Sequence, residues 1–140
     1  MEDGMTRYVA LIDGRHGAYG VVVPDLPGCT SAGKTTDQAY RNAIEAVRLW
    51  IEDAEADGEK LPRPRTLEAL RADPEIAAAL ANGAAIAIVP VLRDAGRPAK
   101  ANLSLDSGLL QAIDEAAEAH GLTRSAFIAS AAREKIKEGA

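Results

Sequence analysis

Four sets of residues in this chain have types and spacings that chemistry could use. Asp13, Asp25, Asp37 and Glu45 are carboxylates spread along the first third of the chain. Metal-assisted phosphoryl transfer would need several of them converging on paired ions roughly 4 Å apart. His16 and His120 are the two imidazoles and Cys29 the one thiol, the types that serve as nucleophiles, acid–base groups or metal ligands. Glu52, Asp53, Glu55, Asp57 and Glu59 put five acids within eight residues, suited either to a basic partner or to a solvated helix end. Lys100, Asn102 and Ser104 alternate with Ala101, Leu103 and Leu105, the period that sends polar and apolar side chains to opposite faces of a strand.

Most of these residues have local roles that compete with catalysis. The apolar run Tyr8 to Ile12 offers no carboxylate inside a strand, Asp13 borders a turn, and Asp25 lies between Pro24 and Pro27. Asp37 falls in a helix's first turn, where acids complement the dipole. Glu45, mid-helix, is the one carboxylate of the four with no evident local role. His16 sits in a turn with no cysteine or second histidine near it, and His120 at a helix end complements the dipole there. Cys29, after a Pro-Gly turn, reads as a small buried residue. Tyr40 and Trp50 fall on an apolar helix face, as core or dimer contacts. We therefore expect no catalytic residue, no metal site and no cofactor.

The chain has 140 residues, 26% charged and 47% hydrophobic, with a net charge of −5. That is room for one medium domain or two small ones of a soluble protein. A single cysteine allows no internal disulfide and fits a reducing, cytoplasmic setting. The start Met1-Glu2-Asp3-Gly4 is unlike a signal peptide, and the apolar stretch 77–92 is broken by Asn82, Gly83 and Pro90. Residues 1–93 hold ten basic and fourteen acidic side chains, and residues 94–140 hold six and seven. Charge alone would not draw this chain to nucleic acid, so any DNA contact must be local and geometric.

The elements that would position these residues follow from periodicity. Tyr8–Ile12 and Ala18–Val23 read as strands joined by a Gly14–Gly17 turn, stopped by Pro24–Gly28, with a short third strand over Cys29–Ala32. Thr35 and Gln38 form a capping box, after which Tyr40, Ala43, Ile44, Val47, Trp50, Ile51 and Ala54 mark one face of a helix. Short helical pieces are expected over Thr66–Arg71 and Pro74–Ala81, the latter capped by Asp73. Ala85–Leu92 reads as a strand that Pro90 confines to an edge or strand end. The composition of 94–98 marks a linker. Strand 99–105, helix 107–120 and helix 124–137 follow, with Gly121 and Thr123 at the turn between the helices. The expected architecture is an α+β N-terminal domain over 1–93, with an antiparallel sheet plus helices, and a small β-α-α domain over 99–140.

The second domain is too short to bury a sufficient core alone, and it contains no cysteine with which to staple itself. A lone strand also leaves unpaired backbone groups on both edges. Two copies pairing strand to strand would solve both problems, sharing a core of Leu103, Leu105, Leu109, Ile113, Phe127, Ile128 and Ile136. The outer face of such a ribbon fits the DNA major groove, with Lys100, Asn102 and Ser104 as base contacts. Thr123, Arg124 and Ser125 at the second helix's start would hold a phosphate.

The segment "KANLSLDSGLLQAIDEAAEAHGLTRSAFIASAAREKI" resembles the ribbon-helix-helix repressors, although Ser104 is smaller than an arginine would be. The alternative for this segment is a helical hairpin whose strand serves dimerisation alone. Residues 5–93, through "VVVPDLPGCTSAGKTTDQAYRNAIEAVRLWIED" and the proline-rich stretch after it, resemble the HicB antitoxins of bacterial toxin–antitoxin pairs. That resemblance implies a partial ribonuclease-H-like domain that binds and inhibits the mRNA-cleaving toxin HicA. The acids Glu52, Asp53, Glu55, Asp57 and Glu59 are the expected contact with that toxin. It also implies operator binding and autorepression, by a homodimer or a tetramer joined through the N-terminal domains. The competing reading is a stand-alone regulator whose N-terminal domain senses a small ligand, and a more remote one is a hydrolase related to ribonuclease H.

Overall fold

The computed structural model describes residues 4–93 and 98–139. The expected linker therefore lies outside the described residues except for Pro98, as do the first three residues. Two compact units form: Met5 to Val91 is one, and the described residues outside that range, Gly4 and those from Leu92 onward, belong to the other.

In the first unit β1 (Gly4–Arg15), β2 (Ala18–Val22), β3 (Thr30–Gly33) and β4 (Ala85–Arg93) make one sheet in the order β3-β2-β1-β4. A strand buried on both faces reads as an unbroken apolar run, and Tyr8 to Leu11 of β1 are all buried. Tyr8 and Ala10 face one layer, with Val21, Val23, Val89 and the Ala39, Ala43, Val47 and Ile51 stripe of α1 (Thr36–Ala56). Val9 and Leu11 face the other, with Leu70 of α2 (Leu67–Ala72) and Ile76 of α3 (Pro74–Ala81). The sheet is thus the middle of three layers. β4, which carries Pro90, lies at its edge.

Several boundaries and one cap differ from expectation. β1 runs beyond Ile12 because the hairpin register continues to Arg15 opposite Ala18. β3 begins at Thr30 because the backbone of Cys29 closes the preceding turn, its N–H donating to Leu26 and its carbonyl accepting from Val23. Thr35 caps α1, accepting from the Gln38 amide at 3.0 Å, but the Gln38 side chain reaches past it to the Lys34 amide at 2.7 Å. This tight entry depends on Gly33, where a Cβ would stand 2.4 Å from the Ala39 nitrogen.

The second unit holds α4 (Ser107–Ala119) and α5 (Arg124–Gly139). The strand expected over 99–105 is not formed, because residues 98–106 carry no regular structure. A strand exists as half of a ladder, and no second strand pairs with this stretch among the described residues. Leu122 is exposed, and its N–H closes the α4 end on the Ala117 carbonyl at 2.8 Å.

Candidate partner and nucleic-acid interfaces

The stretch before α4 keeps its two-sided character without a ladder. Ala101, Leu103 and Leu105 line a groove of about 280 Å³ together with Leu110 and Ile128. Lys100, Asn102 and Ser104 are exposed and do not line it. Leu103 nevertheless remains 62% exposed, and Ala117 is the sole buried residue among those described from Pro98 onward. Of the expected dimer core, Leu105 and Leu109 are also exposed, whereas Ile113, Phe127 and Ile128 are half-buried. Leu110 was absent from that expectation, although its spacing to Ile113 and Ala117 is that of one helical face. This unit displays its apolar side chains instead of enclosing them.

The start of α5 is already occupied by its own chain. The Thr123 hydroxyl accepts from the Ala126 amide at 3.1 Å, which makes it the helix cap. Arg124 grips Asp114 of α4 through Nε and one terminal nitrogen, both at 2.8 Å. These hydrogen bonds, with the charge attraction behind them, hold the Asp114 carboxyl below the usual carboxylate range and push the Arg124 guanidinium up. Ser125 is exposed beside them and also borders the Leu103 groove. His120 caps α4, with Nδ1 2.8 Å from the Ala116 carbonyl and its ring 6.2 Å from that of Phe127.

In the N-terminal unit the carboxylates are held apart by separate partners. Asp13 accepts from the Gly14 amide, Asp37 pairs with Arg41, and Glu45 pairs with Arg48, which gives Glu45 the role its sequence position did not reveal. Arg48 also pairs with Glu52. The acids Glu52, Asp53, Glu55, Asp57 and Glu59 are exposed along the end of α1 and beyond it. Cys29 is buried, and burial pushes its thiol pKa up, away from reactivity. Tyr40 and Trp50 pack beside the core and send their polar atoms to the Ile88 and Pro27 carbonyls. His16 is exposed in the β1–β2 turn.

Asp25 is the residue whose role the sequence hid. Its carboxylate, only 7% exposed, accepts from the Arg65 backbone N–H at 2.7 Å and from Arg65 Nε at 2.6 Å. Arg65 reaches Asp73 at 3.1 Å, and Asp73 in turn caps α3 through the Glu75 amide. Hydrogen bonding to the two carboxylates raises the Arg65 pKa, and the Arg65 contact lowers that of Asp73. The clamp ties the Pro24–Gly28 turn to the start of α3 and walls a second, larger groove of about 610 Å³. The floor of that groove is the sheet face that α2 and α3 leave open: Leu11 of β1, Gly20 and Val22 of β2, and Thr30 of β3.

A family model of HicB-like antitoxins of bacterial toxin–antitoxin systems matches residues 8–132 of this sequence. The chain belongs to that family. A crystal structure of the Burkholderia pseudomallei antitoxin HicB superposes on this HicB-like chain with a TM-score of 0.52 at 33% identity, covering 96% of this chain and 99% of that one. The crystal structure of antitoxin HicB3 gives a TM-score of 0.54 at 29% identity, covering 94% and 98%. A 14.9 kDa protein from the rep–hol intergenic region of Haemophilus phage HP1 is 30% identical over 92% of this chain and 96% of its own length. Among the described residues, no helix of this HicB-like antitoxin is long and apolar enough to cross a membrane.

Proposed function

We propose that this antitoxin binds and inhibits a HicA-type mRNA-cleaving toxin through residues 1–93, and that residues 99–140 dimerise as a ribbon-helix-helix and bind operator DNA. The toxin–antitoxin complex then represses its own promoter. The protein acts by binding in the cytoplasm, as a dimer or a tetramer, and catalyses no reaction. The sheet order β3-β2-β1-β4, with helices between β3 and β4, supports a partial ribonuclease-H-like reading of the N-terminal unit.

The observation that carries the DNA half is the two-sided stretch before α4, with Leu103 and Leu105 on the groove and Lys100, Asn102 and Ser104 exposed. A second copy would bury the leucines, complete the ladder and set two polar rows side by side, at the width the major groove admits. Asn102 suits adenine, Lys100 suits guanine, and Thr123 and Ser125 lie at a helix start that favours phosphate.

The test uses the full chain, a DNA fragment from upstream of its gene, and the toxin encoded beside it. Asn102→Ala is expected to weaken DNA retardation by ~10-fold or more, since a bidentate base contact is lost in each half-site. Toxin neutralisation should be unchanged. Joint loss of both activities would refute the division of labour.

A further inference from the structure

We propose that the open sheet face of the N-terminal unit is the seat for a basic, extended segment of the protein toxin; this rests on the antitoxin reading above. β1 is covered on both faces, but on the α2–α3 side β2 and β3 are not. The register puts Leu11, Val22 and Thr30 in one row across three strands and Asp13, Gly20 and Ala32 in the next. Val22 is β-branched and apolar, yet 49% exposed in this row. Gly20 opposes Asp13 with no side chain, so the floor beside Val22 stays low enough for another chain to approach closely.

The walls decide which chemistry fits. Ile76 and Ala79 of α3 form one side, and Pro24, Pro27 and Gly28 form the other. The charged groups on the lining are Asp13, Asp73, Glu75 and Arg65. Arg65 is spent on Asp25 and Asp73, so it offers an incoming chain little positive charge. Among the described residues no cation pairs with Asp13 or Glu75. An apolar strip rimmed by carboxylates complements a segment that presents one aliphatic or aromatic side chain between lysines or arginines. The Asp25–Arg65–Asp73 clamp holds the wall in place before binding, which lowers the ordering cost of association. At the end of α1, Glu52 is already paired with Arg48.

The experiment titrates the full-length chain with the catalytically inactivated HicA-type toxin encoded beside it, at two salt concentrations. Val22→Arg and Asp13→Lys are expected to weaken binding by ~30-fold or more, as charge reversal and blockage at an interface centre do. Glu75→Gln is the milder variant, should either of these fail to fold. It is expected to weaken binding ~5-fold and to flatten the salt dependence. Glu52→Lys should change affinity by less than ~3-fold. If wild type binds and the groove variants bind equally well, the groove assignment falls while the antitoxin reading stands. If wild type does not bind, both fall. If Val22→Arg reduces self-association in the absence of toxin, the face belongs to a second copy and the proposal is overturned.

Discussion

The two units of this chain solve the burial problem in opposite ways. From Met5 to Val91, helices cover both faces of β1 and one face of β2, and Tyr8, Ala10, Leu26, Val47, Leu70 and Val89 are all essentially inaccessible. From Pro98 onward, two helices enclose one alanine and leave Leu103, Leu105, Leu109 and Ile136 exposed. The first unit is complete as a single chain, with one uncovered patch of sheet. The second is a half-core. An interface in the first is therefore an addition to a finished fold, whereas an interface in the second is part of folding itself.

That contrast can be broken most forcefully at Leu26. It is fully buried in the turn between β2 and β3. Leu26→Ala is expected to cost ~3 kcal/mol, the usual scale for a large-to-small change in a packed core. Denaturant unfolding followed by Trp50 fluorescence would measure it, because Trp50 belongs to the same cluster. The midpoint should not depend on protein concentration. A midpoint that rises with concentration would mean the N-terminal unit too is finished by a partner copy.

Leu103→Asp is the matching test in the other unit. In the single chain this change touches a residue that is already mostly in water, so a monomeric hairpin would tolerate it. In a shared core it would bury a carboxylate, and the dimer dissociation constant should rise ~100-fold or more. Sedimentation equilibrium distinguishes the two outcomes. Trp50 fluorescence should report unchanged stability in the N-terminal unit.

How much of this was legible in the sequence follows the same division. The unbroken run Tyr8–Ile12, the stripe on α1, and the caps Thr35 and Asp73 act through near neighbours, and the structure places them as the pattern demands. Asp25 was opaque because its partner Arg65 is forty residues away, and no local pattern encodes that distance. The groove over Val22 was hidden for a related reason. Alternation marks which residues share a face, but the extent to which α2 and α3 cover that face is decided by their placement. The stretch over 99–105 is the converse case. Its alternation is plain in the sequence, while the ladder that would make it a strand needs a second molecule.

The smallest expected effect lies at the hinge between the two helices of the second unit. Arg124 is at once the residue suited to a DNA phosphate and the partner of Asp114. Asp114 has a lowered pKa in the folded chain, so the ion pair's stabilisation is full above the ordinary carboxylate range and is lost as pH falls through the lowered value. Both groups are near the surface, so the stabilisation is modest and screened by salt. The thermal midpoints of wild type and Asp114→Asn should therefore differ slightly near neutral pH and converge below about pH 4. DNA binding should move the other way. Release of Arg124 is expected to raise affinity by ~3-fold and to steepen the salt dependence by about one unit for each arginine gained as a phosphate contact. An unchanged salt slope in Asp114→Asn would assign Arg124 to holding α4 against α5, and would leave the phosphate to the free amides and to Ser125.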